Sequence, residues 1–186
     1  MEEKKLAVIL PGVGYHKDMP LLYYSRKMAR FAGYELLYIT YHDLPTQIRG
    51  DLSKMHLAAE TAYGQACEAL DAAELSQYEE LLFIGKSIGT VIAARYAKER
   101  EIDPKQIWYT PVEATFRYAP EQDGRVMAFS GDADPWAEWE EIRKLAEEKK
   151  IPLCSYPGCN HSLECGDVEK NLEILCDVMK KTKEML

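Results

Sequence analysis

The segment Gly85–Gly89, which reads GKSIG, has the Gly-x-Ser-x-Gly spacing that can present a serine hydroxyl as a nucleophile. A short apolar run, Leu81 to Ile84, precedes it, and an apolar helical pattern follows it. This context predicts a nucleophile elbow, in which Ser87 stands at the carboxyl end of a strand and the flanking glycines avoid a steric clash. The backbone N–H of Ile88 would then lie at the N-terminus of the next helix, where partial positive charge favours an oxyanion. The pentapeptide alone would also fit a plain strand-to-helix turn.

A serine nucleophile needs a base, and the base needs a carboxylate that orients it. The sequence supplies both: an acidic turn with Asp132 and Asp134 follows one predicted strand, and His161 follows the last predicted strand. We therefore expect His161 to be the base, with one of the two aspartates as its partner. The remaining histidines precede the elbow and are expected at the surface or at the rim of a pocket: His16, His42 and His56.

These side chains can meet only if the strands that carry them end at one edge of a sheet. Apolar runs and turn residues predict six strands, over Leu6–Leu10, Tyr34–Tyr41, Leu81–Ile84, Ile107–Thr110, Arg125–Ser130 and Pro152–Tyr156. Helices are predicted between them and after the last one, over Leu21–Phe31, Met55–Leu75, Val91–Arg100, Ala137–Lys149 and Asp167–Met185. This alternation predicts an α/β fold, a three-layer α/β/α sandwich around a mostly parallel six-stranded sheet, with residues 1–186 as one domain. Right-handed crossovers would bring the loops after the strands to a common edge.

The composition and charge of the chain indicate which binding partners and which cellular compartment to expect. The chain has 186 residues and a formal net charge of −8, which favours neither nucleic acid nor an anionic membrane surface as a partner. No apolar run approaches the roughly 18 residues that cross a bilayer, and the start lacks a signal-peptide pattern, so we expect a cytoplasmic protein. The five cysteines are expected to be mostly reduced thiols. Cys159, His161 and Cys165 lie close together in the sequence, but their spacing matches no standard zinc motif, and no metal is expected.

The chain resembles the α/β-hydrolase superfamily over nearly its whole length, through the segments Gly85–Gly89, Ser130–Asp134 and Gly158–Ser162. It is most similar to small members without a lid, of the dienelactone-hydrolase-like and carboxylesterase-like kind. The resemblance implies a minimal α/β-hydrolase fold without a cap domain, because residues 112–124 are too few to form one. It also favours Asp134 over Asp132 as the acid, from the usual distance between the acid and the glycine of its turn.

The resemblance also implies an oxyanion hole and a substrate pocket. Pro11-Gly12-Val13 corresponds to the turn after the family's oxyanion-forming strand, so the backbone N–H of Val13 would join that of Ile88. Proline replaces the usual histidine of that turn, which leaves the backbone role intact. The pocket is expected to be shallow and open, with residues 42–53 and 113–118 at its border. Substrate contacts are expected from Gly12, Gly14, Tyr15, His16 and Trp136.

The implied function is that of a serine hydrolase acting on a small carboxylic ester or thioester, with Ser87 as nucleophile, His161 as base and Asp134 as the orienting acid. A small-molecule acyl ester is then the expected partner, and neither a metal nor an organic cofactor is needed. Two alternatives stay open: a non-catalytic protein that binds a ligand or partner on a hydrolase scaffold, and a flavodoxin-like nucleotide or phosphate binder. Lys86 is interpreted as a residue that buttresses neighbouring loops or faces solvent, since adjacent residues on an elbow point apart.

Overall fold

Six parallel strands form one sheet at the centre of the molecule, in the order β2-β1-β3-β4-β5-β6. The computed structural model describes residues 4–48, 50–120 and 124–186; residue 49, in the predicted rim segment 42–53, and residues 1–3 and 121–123 lie outside the described residues. The strands are β1 (Lys5–Leu10), β2 (Tyr34–Tyr38), β3 (Glu80–Lys86), β4 (Lys105–Tyr109), β5 (Val126–Gly131) and β6 (Leu153–Tyr156). Each neighbouring pair among them is parallel, so the sheet is wholly parallel where the sequence predicted a mostly parallel one.

Helices cover both faces of the sheet. They are α1 (Pro20–Phe31), α2 (Leu52–Ala72), α3 (Ile88–Glu99), α4 (Trp139–Glu148) and α5 (Val168–Thr182). Short 3₁₀ helices span Leu75–Gln77, Glu113–Tyr118 and Lys183–Met185. Residues of α1 and α5 pack on one face, and residues of α2, α3 and α4 pack on the other. The predicted three-layer α/β/α sandwich is confirmed.

The sheet divides the core in two because successive side chains of a strand point to opposite faces. Ile9 and Ile84 pack with residues of α1 and α5, whereas Val8 and Phe83 pack with residues of α2 and α3. All four side chains are fully buried, and burial of each contributes about 1.5–3 kcal/mol. Burial on both faces explains why β1 and β3 appear in the sequence as continuous apolar runs.

Some elements begin or end away from their predicted bounds for identifiable reasons. Helix α2 begins at Leu52, earlier than predicted, because the side chain of Asp51 accepts a hydrogen bond from the N–H of Lys54 at 3.0 Å and caps the helix. Strand β3 continues past the apolar run to Lys86, since backbone pairing with β4 extends to the register partners Lys86 and Tyr109. The nucleophile candidate therefore follows the strand without an intervening loop.

The carboxyl edge of the sheet is left open. Within residues 110–120 and 124–125, the connection from β4 to β5 forms only the 3₁₀ helix Glu113–Tyr118, so no cap domain covers this edge. In the part of the chain that the structure describes, no helix is both long and apolar enough to span a membrane.

Candidate active site

Ser87 lies in a strained turn between β3 and α3, with φ 55° and ψ −121°. A positive φ in a residue with a side chain costs about 1–3 kcal/mol and persists only where the surroundings fix it. Here the N–H of Ser87 donates to the carbonyl of Tyr109 at 2.9 Å, and its carbonyl accepts from the Thr90 hydroxyl at 2.6 Å. A Cβ atom on Gly89 would lie 2.0 Å from the carbonyl oxygen of Leu10, so only glycine fits there. The turn has the geometry of the predicted elbow.

Ser87, His161 and Asp134 form one hydrogen-bonded chain at the open edge of the sheet. The Nε2 atom of His161 lies 2.8 Å from Oγ of Ser87, and Nδ1 lies 2.6 Å from Oδ2 of Asp134. An ionised carboxylate can only accept hydrogen bonds, so Nδ1 carries the imidazole proton and Nε2 is left to accept from the serine hydroxyl. The other oxygen of Asp134 accepts from the N–H of Trp136 at 2.9 Å, which fixes the carboxylate at both oxygens.

Burial sets the protonation state of His161. Its side chain is 18% exposed and that of Asp134 is 1% exposed. This burial lowers the pKa of His161 below its ordinary value, because an imidazolium is poorly solvated inside the protein. The hydrogen bond to Asp134 opposes the effect, and the positive charge of Lys86 adds to it. His161 is therefore neutral near pH 7, in the form that can accept a proton.

Asp132, the other candidate acid, serves a different part of the fold. Its Oδ1 atom accepts a hydrogen bond from the N–H of Gly158 at 2.5 Å, which ties the turn after β5 to the turn after β6. It thereby supports the loop that carries His161 without being its partner. The structure brings Asp134, and not Asp132, to the imidazole.

Two polar residues that the sequence analysis did not assign hold the His161 loop in place. Thr110, directly after β4, donates through its hydroxyl to the carbonyl of His161 at 3.2 Å. The side-chain oxygen of Asn160 accepts from the N–H groups of Ser162 and Glu164 at 2.7 and 3.2 Å. The available signal was a short polar residue at the last position of one predicted strand and another in the turn after the last one, since such residues commonly bond to nearby backbone.

The backbone N–H groups of Val13, on the β1–α1 loop, and of Ile88, at the start of α3, lie on the two segments beside the serine. Gly12 and Tyr15 exchange backbone hydrogen bonds of 3.2 and 3.3 Å, which places Val13 at the tip of a tight turn. A Cβ atom on Gly12 would lie 3.2 Å from Cβ of Ser87, so this turn packs directly against the elbow. As the first residue of α3, Ile88 has no acceptor for its N–H within the helix. Among the described residues, the N–H of Val13 also donates to no acceptor.

Lys86 is fully buried, and the expectation that it faces solvent is wrong. Its exposed fraction is 0%, and its Nζ atom has no hydrogen-bond partner among the described residues. The Nζ atom lies 5.0 Å from the centroid of the Tyr15 ring, within the range of a cation–π contact. Burial lowers the pKa of Lys86 to about 7, against an opposing effect of the negative charge on Asp134. The cause is the extension of β3, which turns this side chain into the core on the same face as Ile84.

Three of the predicted substrate contacts line one groove beside this turn. Gly12, Gly14 and His16 border an open groove of about 490 Å³. Its other lining residues are Pro11, Val13, Lys17, Asp18, Ile39, Thr40, Tyr41 and Leu44. Gly12 lines the groove and also packs against Ser87, so the groove adjoins the elbow.

The two predicted aromatic contacts lie elsewhere. Tyr15 is only 7% exposed, and its hydroxyl accepts from the N–H of Leu21 at 3.0 Å, so its buried ring contradicts the expected substrate contact. The tight turn directs its side chain into the core beneath Lys86. Trp136 is half-buried, and its ring centroid lies 6.0 Å from that of His161. It flanks the base and does not line the groove.

The cysteines near His161 do not build a metal site in the structure. Both ring nitrogens of His161 are engaged by Ser87 and Asp134, which leaves none for a metal. Burial raises the pKa of the Cys159 thiol to about 11, whereas a metal ligand must be a thiolate. Over residues 4–48, 50–120 and 124–186, no group of three or more His, Cys, Asp or Glu side chains is arranged to hold a metal ion.

Comparisons with known proteins identify the fold. No protein-family model matches the sequence, and a search of characterised proteins finds no match. Among solved structures, a protein of unknown function from Agrobacterium tumefaciens, proposed there to be an α/β-hydrolase, superposes with a TM-score of 0.71 at 20% identity, over 98% of this chain and 85% of that one. An α/β serine hydrolase without a lid from Xanthomonas campestris gives a TM-score of 0.69 at 15% identity, over 98% and 82%. Est1E from Butyrivibrio proteoclasticus, with ferulic acid bound, gives 0.67 at 18% identity, over 99% and 88%.

These likenesses, taken with the parallel sheet and the serine turn after β3, define the class of structure. The chain has an α/β-hydrolase fold, in a small form without a lid. The resemblance stated from the sequence is thereby confirmed for the fold. At identities of 20% or less, the likeness carries the fold alone, and the chemistry must be argued from the site.

Proposed function

We propose that the protein is a serine hydrolase that cleaves a small carboxylic ester or thioester through an acyl-enzyme on Ser87. The observation that carries the proposal is the continuous hydrogen-bonded chain from Ser87 through His161 to Asp134, with contacts of 2.8 and 2.6 Å. A serine hydroxyl alone is a poor nucleophile at neutral pH and needs a base within hydrogen-bond reach. The neutral, buried imidazole of His161 meets that need.

The reaction follows from the positions of these three groups. Oγ of Ser87 bonds to the acyl carbonyl carbon while its proton moves to Nε2 of His161. Asp134 accepts the Nδ1–H and stabilises the imidazolium, which then protonates the departing alcohol or thiol. Water attacks the acyl-enzyme with the same base, and the acid is released. His161 thus accepts a proton and gives it back in each half of the reaction. The only reactants consumed are the ester or thioester and water.

Charge that develops on the carbonyl oxygen needs donors fixed in advance. The N–H groups of Val13 and Ile88 are assigned to this role because they lie on the two segments that meet at Ser87. The N-terminus of α3 adds partial positive charge at the same point. In serine hydrolases, loss of one such donor reduces kcat by about 10²–10³.

The groove beside Gly12 favours a small apolar acyl or aryl group. Val13, Ile39 and Leu44 contribute apolar side chains to a volume of about 490 Å³ that is open to solvent. Ligand sites of this size are commonly apolar with a few orienting polar groups. Est1E, which shares the fold, is described with ferulic acid bound, an acid that carries an aryl group.

The test is ester turnover by the wild type and by the Ser87→Ala variant. We expect hydrolysis of p-nitrophenyl esters from acetyl to octanoyl and of the matching thioesters, with kcat/KM reduced about 10⁴-fold or more in Ser87→Ala. His161→Ala should lose a similar factor, because nucleophile and base act as a unit. His16→Ala, which alters the groove rim, is the matched control and should change KM far more than kcat.

Two outcomes would contradict the proposal. Turnover that persists in Ser87→Ala would place the reaction at another group. A folded wild type with no turnover of any ester or thioester in the series would favour the alternative of a non-catalytic scaffold.

A further inference from the structure

Lys86, the residue directly before Ser87, has an environment that the proposed reaction leaves unexplained. Its side chain is fully buried, and its Nζ atom has no hydrogen-bond partner among the described residues. Charged side chains are almost never fully buried without a partner, because an unpaired buried ammonium is poorly solvated. A residue kept in such a position therefore calls for an account of what its charge does.

The groups around Lys86 do not neutralise it. The centroid of the Tyr15 ring lies 5.0 Å from Nζ, and a ring offers only a weak attraction. The hydroxyl of Tyr15 accepts from the N–H of Leu21. The hydroxyl of Tyr109, the register partner of Lys86 on β4, bonds instead to Ser25 and Thr182.

The charged and titratable groups around Lys86 lie on strand β4 and on three loops at this edge of the sheet. These are Tyr15 on the β1–α1 loop, Tyr109 on β4, Asp134 on the β5–α4 loop and His161 on the β6–α5 loop, with Glu164 acting on Tyr15. Asp134 attracts the ammonium but forms no hydrogen bond with it. The oxygens of Asp134 accept instead from His161 and from the N–H of Trp136. Such charges interact over several ångströms, because the buried interior screens them poorly.

The geometry of the elbow connects Lys86 to the base. Lys86 is bonded to Ser87, and Oγ of Ser87 lies 2.8 Å from Nε2 of His161. The charge of Lys86 acts on His161, so a proton that arrives on His161 during attack would produce a second positive charge in the same buried site. An ammonium at Lys86 opposes that step, whereas a neutral amine does not.

We propose that Lys86 is a positioning residue that controls the basicity of His161 through its own charge. When Lys86 is protonated, the imidazole of His161 is a weaker base and remains neutral down to a lower pH. When Lys86 loses its proton, His161 becomes the stronger base and nucleophilic attack accelerates. The link to reaction rate rests on the proposed function, but the coupling between the two side chains does not.

The first test measures the titration of His161 directly, by NMR of the imidazole ring, in the wild type and in Lys86→Met. Removal of the neighbouring charge should raise the His161 midpoint. Lys144→Met removes an equal charge from an exposed position on α4 and should leave the midpoint unchanged. A His161 midpoint that is the same in the wild type and in Lys86→Met would overturn the proposal.

A second test needs no variant, and so does not depend on how a substitution folds. In protein with isotope-labelled lysine, the Lys86 resonance should titrate near pH 7, far below the ordinary value of 10.5. A Lys86 midpoint in the ordinary range would refute the proposal, because the charge would then never change under working conditions.

The third test reads the consequence for activity. In the wild type, kcat/KM should rise in a second step as Lys86 deprotonates, and Lys86→Met should show a single ionisation, at the raised midpoint of His161. A coupled His161 titration with no ester turnover in any variant would support the coupling and refute the proposed function. Turnover with the same pH profile in the wild type and in Lys86→Met would refute control by Lys86 and leave the proposed function standing.

Discussion

Replacement of Lys86 by methionine should stabilise the protein, which is an unusual expectation for a change beside a nucleophile. Methionine keeps the unbranched shape and most of the length of the side chain and removes its charge. The pKa of Lys86 falls from the ordinary 10.5 to about 7 on folding, chiefly because of burial. At about 1.4 kcal/mol for each pH unit of difference, burial of the ammonium costs about 5 kcal/mol where both states are protonated. Loss of the contact with the Tyr15 ring destabilises the variant by about 1–2 kcal/mol. We therefore expect the free energy of unfolding of Lys86→Met to exceed that of the wild type by about 3 kcal/mol near pH 6.

The pH dependence identifies the cause of this gain. The folded-state pKa is the lower one, so between about pH 7 and 10.5 the unfolded chain binds more protons than the folded protein. In the wild type, Lys86 therefore destabilises the folded protein most below about pH 7, and this destabilisation decreases as the pH rises through that window. The advantage of Lys86→Met should shrink by about 2–3 kcal/mol between about pH 6 and about pH 9.

Urea unfolding followed by circular dichroism, at several pH values, measures the free energy of unfolding of both proteins. Lys144→Met, at an exposed position on α4, serves as the matched control and should change stability by less than about 0.5 kcal/mol at each pH. A variant less stable than the wild type near pH 6 would refute the reasoning. So would a constant difference between the two proteins across the pH range.

Three further predictions concern the site and its framework. Asp134→Asn should lower kcat by about 10³–10⁴, because the amide cannot hold the imidazole tautomer. Asp132→Asn should keep kcat within about tenfold and lose no more than about 1 kcal/mol of stability, because its exposed side chain keeps an oxygen that can accept from the N–H of Gly158; steady-state kinetics and thermal unfolding compare the two. In a pH profile of kcat/KM, the acid limb should fall below the ordinary histidine value of 6.5, because burial lowers the pKa of His161. Gly89→Ala should fail to fold or lose at least about 3 kcal/mol, since its Cβ would lie 2.0 Å from the carbonyl oxygen of Leu10; far-UV circular dichroism and urea unfolding test this.

The fold could be predicted from the sequence because its signals are local. Apolar runs of strand length mark the buried strands, and their alternation with helices leaves few topologies once right-handed crossovers are assumed. The serine turn was visible for the same reason, since the two glycines and the serine are within five residues of one another. The partnership of Ser87 with His161 was an inference from topology, because parallel strands bring distant loops to one edge.

The orientation of single side chains could not be predicted in the same way. Lys86 appeared to lie on a turn, because the apolar run before it stops at Gly85, whereas backbone pairing carries β3 one residue further and turns the lysine inward. Tyr15 follows a glycine turn that the sequence marks as a loop, yet its side chain enters the core. Both outcomes depend on contacts with segments far along the chain, which no local pattern encodes.

The most direct test of the central claim is covalent labelling of the folded protein with a fluorophosphonate, followed by peptide mass spectrometry. We expect a single phosphonylated residue, Ser87, with labelling abolished in Ser87→Ala and strongly slowed in His161→Ala, because attack requires the base that lies 2.8 Å from Oγ. Labelling that leaves Ser87 unmodified in the folded wild type, or that proceeds equally fast without His161, would contradict it.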